Sequence, residues 1–180
     1  MTDILPLMTR AADRTAHLIE TTSEERFALP TPCAEYDVRA LIAHLEWVAT
    51  LFEQMAEGGP MPEQGPYSGD FRPRAERMLA AWERPEAWEG VSSGMGLPMT
   101  VLARMCLGDL IVHGWDLAVA TGRPYQVDEE EAARLLEFAE EMGPTGRKMG
   151  AFGDEVAVPA DAPPLERALG LLGRDPSWRP

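Results

Sequence analysis

Asp109, His113 and Asp116 are the residues of this chain whose types and spacing most plainly suggest chemistry. They stand at i, i+4 and i+7 in the run Leu107-Gly-Asp-Leu-Ile-Val-His-Gly-Trp-Asp-Leu-Ala118. A helix advances about 100° per residue, so all three share one stripe. Ionisable groups on an otherwise apolar helix are costly to bury unless something compensates them. A divalent metal ion would do so, because it accepts imidazole and carboxylate ligands and reverses the local pKa logic. An Asp-x-x-x-His pair brings two ligands from one helix toward one ion, by the geometry that serves His-Glu-x-x-His helices.

The helix that must carry this stripe runs from Leu97 to Ala120, entered through Pro98 and stopped by Gly122 and Pro124. A second helix, Val38 to about Glu57, has Asp37 as its N-cap and ends at Gly58-Gly59-Pro60. His44 falls on its apolar face with Leu41, Leu45, Val48 and Phe52, and an inward histidine needs a partner. Inward positions on facing helices of a bundle are where such folds build metal sites. His44, Asp109 and His113 together would leave open coordination positions, as a reactive site requires. Zinc, nickel, manganese and iron all accept such donors, and the residue types do not rank them.

The remaining elements are also helical. Ile4 to about Thr21 has helical apolar spacing, with His17 a surface or core residue beside Leu18. Gly58 to Pro73 reads as a long connection able to act as a lid, followed by a short helix over Arg74 to Glu83. Asp128 and Glu131 form a capping box for a helix to about Met142, stopped by Gly143-Pro144. The acidic run 128–131 is a solvated cap and not a second metal site. A short extended piece, Val156 to Pro159, precedes a final helix opened by Pro164 and ended by Gly173. With strands nearly absent, the fold class is all-α, an antiparallel bundle of four principal helices with additions.

Composition narrows the function classes. A hydrophobic content of 45% suits an ordinary globular core and argues against wholesale disorder. The formal net charge of −14 argues against nucleic acid and anionic membrane surfaces. No apolar segment reaches the roughly 20 residues needed to span a bilayer, and the N-terminus lacks the pattern of a signal peptide. Two cysteines, Cys33 and Cys106, make no disulfide framework and fit a reducing cytoplasm. Cys106, one turn before Asp109, reads as a packing thiol, while Cys33 either lines the site mouth or packs. Trp47 and Trp115 read as core or pocket wall.

Two segments carry a family likeness: Thr31-Pro-Cys-Ala-Glu-Tyr-Asp-Val-Arg-Ala-Leu-Ile-Ala-His44, and Asp109 to Ala118 with Thr121-Gly122. The runs Gly150 to Gly153, Val158 to Pro164 and Leu172 to Pro176 match too. On these the chain resembles the DinB-like superfamily, within it the actinobacterial metal-binding proteins related to the N-terminal domain of mycothiol-dependent maleylpyruvate isomerase. The resemblance implies one DinB-like domain over 1–180, with about 150–180 packed on the bundle as an extension. It also implies metal ligands at His44, Asp109 and His113, zinc as the metal, and the low-molecular-weight thiol mycothiol as cosubstrate. Asp109 stands where the isomerase has glutamate, and the isomerase's separate C-terminal domain has no counterpart here.

The expected function is therefore metal-dependent transfer of mycothiol or a similar thiol onto a small electrophile, by a cytoplasmic monomer or homodimer. Asp116 is expected behind a ligand, fixing an imidazole tautomer. A second reading is a metal- or ligand-binding bundle without catalysis. A third is a purely structural Asp109–His113 ion pair, disfavoured because buried pairs are costly. Arg39, Arg72, Arg74, Arg104 and Arg147 are the possible partners for the thiol's polar body.

Overall fold

The structure is a computed structural model that describes residues 4–180. Six α-helices account for its regular structure: α1 (Ile4–Glu20), α2 (Val38–Glu57), α3 (Phe71–Trp82), α4 (Met99–Ala120), α5 (Glu129–Lys148) and α6 (Pro164–Leu171). Among the described residues there is no strand, only isolated bridges at Pro30–Asp37 and Val91–Pro98. Helix α1 packs on α4 and α3, α2 packs on α3 and α4, and α5 docks on α4 and α6. This is an all-α bundle with short additions, as the patterning indicates.

Helix α4 is the axis of the bundle. Its flank at Leu102, Leu110, Ile111 and Leu117 is wholly buried, and Asp116 is buried with them. Helix α2 lies beside it and runs the opposite way. Near its start His44 meets His113, and near its end Met55 Sδ lies 3.3 Å from Ser92 Oγ, just ahead of α4. Local chemistry sets the limits of α2. The Asp37 carboxylate accepts from Ala40 N at 2.8 Å, and Gly58 closes the helix at φ 72°, a left-handed cap.

Two boundaries differ from the sequence reading. Helix α3 begins at Phe71, not Arg74. Helix α5 does not stop at Gly143-Pro144 but continues to Lys148 with Pro144 inside it. A proline there removes one backbone donor, a cost that packing can outweigh. Here Gly143 and Gly146 let this turn lie close to the Leu171 carbonyl and the Phe152 ring, with Arg147 Nη1 donating to Leu171 O at 2.6 Å. The capping box between Asp128 and Glu131 is complete as read, but the acidic run is not wholly a solvated cap, because Glu131 is fully buried. Buried Glu131 also receives Arg14 from α1 at 2.5 Å, tying the first helix to the fifth.

The long connection after α2 is held down by one carboxylate. Glu46, only 2% exposed, accepts from Ser68 N at 2.8 Å, Ser68 Oγ at 3.0 Å and Asp70 N at 2.9 Å. Trp47 Nε1 donates to Pro62 O at 2.9 Å, so the segment crosses beside the face of α2 that carries His44. Beyond α5 the chain folds back across the bundle. Gly173 has φ 81°, and a Cβ there would sit 2.9 Å from the Gly153 backbone, so this crossing needs glycine. That crossing places the next residue, Arg174, under the bundle at Asp116.

Candidate functional site

A cleft of about 590 Å³ opens between α2, α4 and the C-terminal crossing. His44, Asp109 and His113, the three residues singled out as metal donors, all line it, together with Cys33, Tyr36 and Arg174. The two imidazoles meet edge to face with ring centroids 4.8 Å apart. Asp109 sits one helical turn before His113 on the same wall. Among the described residues, no group of three or more His, Cys, Asp or Glu side chains is drawn together closely enough to hold a metal ion. The pair of imidazoles is therefore assembled, and the carboxylate stands next to it.

Behind His113 lies a buried relay. His113 Nδ1 is 3.0 Å from Asp116 Oδ2, and Arg174 Nη2 donates to the same oxygen at 3.1 Å. Arg174 Nη1 donates to Leu172 O at 3.1 Å. Asp116 is completely buried, so its charge is balanced by groups the fold supplies. With Nδ1 committed to the carboxylate, Nε2 is the His113 nitrogen left for another partner. The structural reading of an Asp109–His113 ion pair fails here: the carboxylate on His113 is Asp116, and among the described residues Asp109 makes no ion pair.

His44 is held between aromatic rings. Tyr36 stacks on it at 5.1 Å between centroids, with its hydroxyl 3.3 Å from Nδ1, and Trp47 lies on another side at 5.5 Å. Burial, and next the nearby His113, push the His44 pKa down to about 4, so the ring is neutral at pH 7. The Gln64 side chain, from the connection after α2, hydrogen-bonds to it and opposes that shift in part. Burial raises the Asp109 carboxyl above its ordinary value, while His113 and Arg174 pull it back. Burial likewise raises the Cys33 thiol, opposed by Arg174. Cys33 thus does not carry the lowered pKa of a self-activated nucleophile.

The depressed His44 value has a consequence for stability. The unfolded chain takes up a proton at His44 near its ordinary value of 6.5, whereas the fold resists until about 4. This contribution is intact above 6.5 and is lost as pH falls from there toward 4. Asp109 acts in the opposite sense, because a raised carboxyl favours the fold as pH falls toward its ordinary 3.8. Metal-free protein titrated with urea at pH 7 and pH 5 should lose stability on acidification, and His44→Gln should flatten that loss. An equal loss in both proteins would place the effect elsewhere.

The other marked residues fall where their surroundings explain them. Cys106 is buried with its Sγ 3.4 Å from Met78 Sδ, a packing thiol. Trp115 is core, Trp47 is cleft wall, and His17 is exposed. The five arginines considered as thiol partners do not line this cleft. Arg39 covers the Phe27 ring, Arg72 pairs with Glu20, Arg74 reaches Thr50, Arg104 pairs with Glu141, and Arg147 holds the C-terminal crossing. Arg174 is the arginine at the site. Its signal was the one cation in the run Leu172-Gly-Arg-Asp-Pro176, 58 residues from the Asp116 carboxylate it reaches.

Comparison with known proteins agrees with this helical-bundle fold. The crystal structure of the mycothiol-dependent maleylpyruvate isomerase shares the fold with a TM-score of 0.58 at 17% identity, over 86% of this chain and 74% of that one. Residues 8–70 match the mycothiol maleylpyruvate isomerase N-terminal domain, a span that includes His44 and stops short of Asp109 and His113. Uncharacterized proteins from two strains of Mycobacterium tuberculosis are 33% identical over 94% of this chain and 97% of their own length. The chain belongs to the family of these mycobacterial proteins, related to the N-terminal domain of the isomerase. Among the described residues, no helix is long and apolar enough to cross a membrane.

Proposed function

We propose that this protein binds a divalent metal ion, zinc first among the alternatives, at His44, Asp109 and His113. There it activates mycothiol or a similar low-molecular-weight thiol for transfer onto a small electrophile. The observation that carries this is the pair of imidazoles 4.8 Å apart, one of them oriented through Nδ1 by a buried carboxylate. A carboxylate–histidine pair of this kind is the usual support of a ligating imidazole. Asp109, half-buried beside them without an ion pair of its own, has the chemistry of the third donor. The match to a mycothiol-dependent enzyme's N-terminal domain supports the choice of thiol.

A bound divalent ion would supply deprotonation of a coordinating thiol, making it nucleophilic at neutral pH. The chain's own residues do the rest. Asp116 holds the proton on His113 Nδ1 and so keeps Nε2 as the donor nitrogen. Arg174 balances Asp116 from the other side. Tyr36 and Trp47 flank the His44 ring and fix its orientation.

Metal analysis of the purified protein, with and without chelator, tests the first half of this reading. Metal at one equivalent per chain and chelator-sensitive stability are expected. Thiol turnover with a generic electrophile tests the second half, and its absence in metal-loaded protein would leave a binding module without catalysis. Cys33→Ser should keep its metal, because burial raises the Cys33 thiol and disfavours the thiolate a ligand needs. Loss of metal in that variant would make Cys33 a ligand.

A further inference from the structure

The cleft extends well beyond the histidine pair, and its two long walls are amphipathic in a particular direction. Helix α4 turns Met105, Gly108, Asp109, Val112 and His113 into it, at i, i+3, i+4, i+7 and i+8. Helix α2 turns His44, Trp47, Leu51 and Phe52 into it, at i, i+3, i+7 and i+8. Because the helices run oppositely, both stripes leave the imidazoles in the same direction. Eight residues of rise along each make an arm about 12 Å long. Its ionisable groups sit at the imidazole end, and past Asp109 its two walls carry none. Phe138 and Phe152 close it from the side, 6.5 Å apart edge to face. Gly108 lets Phe138 close against α4, since a Cβ there would come within 3.3 Å of the Phe138 ring.

Charge in the cleft points the same way. Glu35 and Asp109 contribute carboxylates, and Arg174 is the one lysine or arginine in the lining. Its donors are already directed to Asp116 and the Leu172 carbonyl. With Asp109 assigned to the metal, a dianionic substrate would still meet the Glu35 carboxylate and find the lining's arginine already paired. An apolar body would instead exchange water for aromatic and aliphatic side chains.

We infer that the electrophile taken by this cleft is an uncharged molecule with an apolar body of about aromatic size, and not a dicarboxylate. The inference rests on the proposed role of the histidine pair as the reacting centre. The polar end receives the thiol, and the arm receives the body of the electrophile. The thiolate sulfur donates its lone pair to the electrophilic carbon and forms the C–S bond. At a saturated carbon the leaving group departs with its bonding pair. At a conjugated double bond the π electrons move to the far carbon, which takes up the proton the thiol released.

Two unreactive probes, 2-naphthalenemethanol and maleate, test this by calorimetry and Trp47-sensitive fluorescence on the full chain as purified. The naphthyl probe should bind at least about tenfold more tightly than maleate, the discrimination expected of one buried apolar group. Met105→Glu, which places a charge in the arm away from the imidazoles, should weaken the naphthyl probe about tenfold and leave metal content unchanged. Equal or tighter maleate binding would overturn the inference, and so would naphthyl binding that is undetectable or indifferent to Met105→Glu. Failure of the proposed function looks different: the naphthyl probe binds, but no metal is present and no thiol–electrophile pair turns over.

Discussion

His113→Ala is expected to abolish metal loading and all thiol-dependent turnover while leaving the helical fold in place. The imidazole is one of two that face each other across the cleft, and it alone is oriented by a buried carboxylate. Its removal takes away one of the three proposed donors, and alanine offers no replacement. The fold should survive because Asp116 keeps Arg174 as its counter-charge. The stability cost is then about 1–3 kcal/mol, from the lost hydrogen bond and the space left behind. Metal content by elemental analysis and helicity by circular dichroism check both halves. Asp116→Asn provides the graded control: it retains all three donors but changes the orienting partner, so metal affinity should fall about 10–100-fold and not vanish. Full occupancy in His113→Ala would show that the ion, if one binds, does so elsewhere.

What could be read in the sequence follows from how local each signal is. Helix α2 was legible to the residue because its start and stop are written in adjacent side chains, Asp37 and Gly58. The stripe Asp109–His113–Asp116 was legible because helical periodicity converts spacing into direction. The end of helix α5 was not, since Pro144 signals a stop that tertiary contacts of Gly143, Gly146 and Arg147 override. The Asp116 carboxylate was expected to orient an imidazole, and its pairing with His113, three residues away on one helix, is local as well. Arg174 lay beyond reach. It comes to Asp116 across 58 residues of chain through the Gly153–Gly173 crossing, and nothing in its neighbours announces the destination. Of the five arginines named from sequence, Arg72 and Arg104 pair with surface carboxylates, as exposed cations on an acidic protein will.

Arg174→Met should be the most destabilising single change at the site. Asp116 has no exposed surface, and its counter-charges are the Arg174 guanidinium at 3.1 Å and, when protonated, His113 at 3.0 Å. Methionine has a similar reach and apolar bulk but leaves a buried carboxylate uncompensated, which costs about 3–5 kcal/mol. Arg174→Lys restores the charge without the guanidinium fork that contacts Asp116 and the Leu172 carbonyl together, so it should recover only part of the loss. The double variant Arg174→Met with Asp116→Leu removes both charges, and it should be more stable than Arg174→Met alone even though it loses the partner of His113. Urea unfolding of the parent, Arg174→Met, Asp116→Leu and the double variant gives the coupling energy directly. A single variant within about 1 kcal/mol of the parent, with no coupling in the cycle, would mean that Asp116 is neutralised by something other than the C-terminal crossing. If the coupling is found, the crossing does two jobs with one side chain: it fastens residues 150–180 to the bundle, and through Asp116 it sets which nitrogen of His113 faces the cleft.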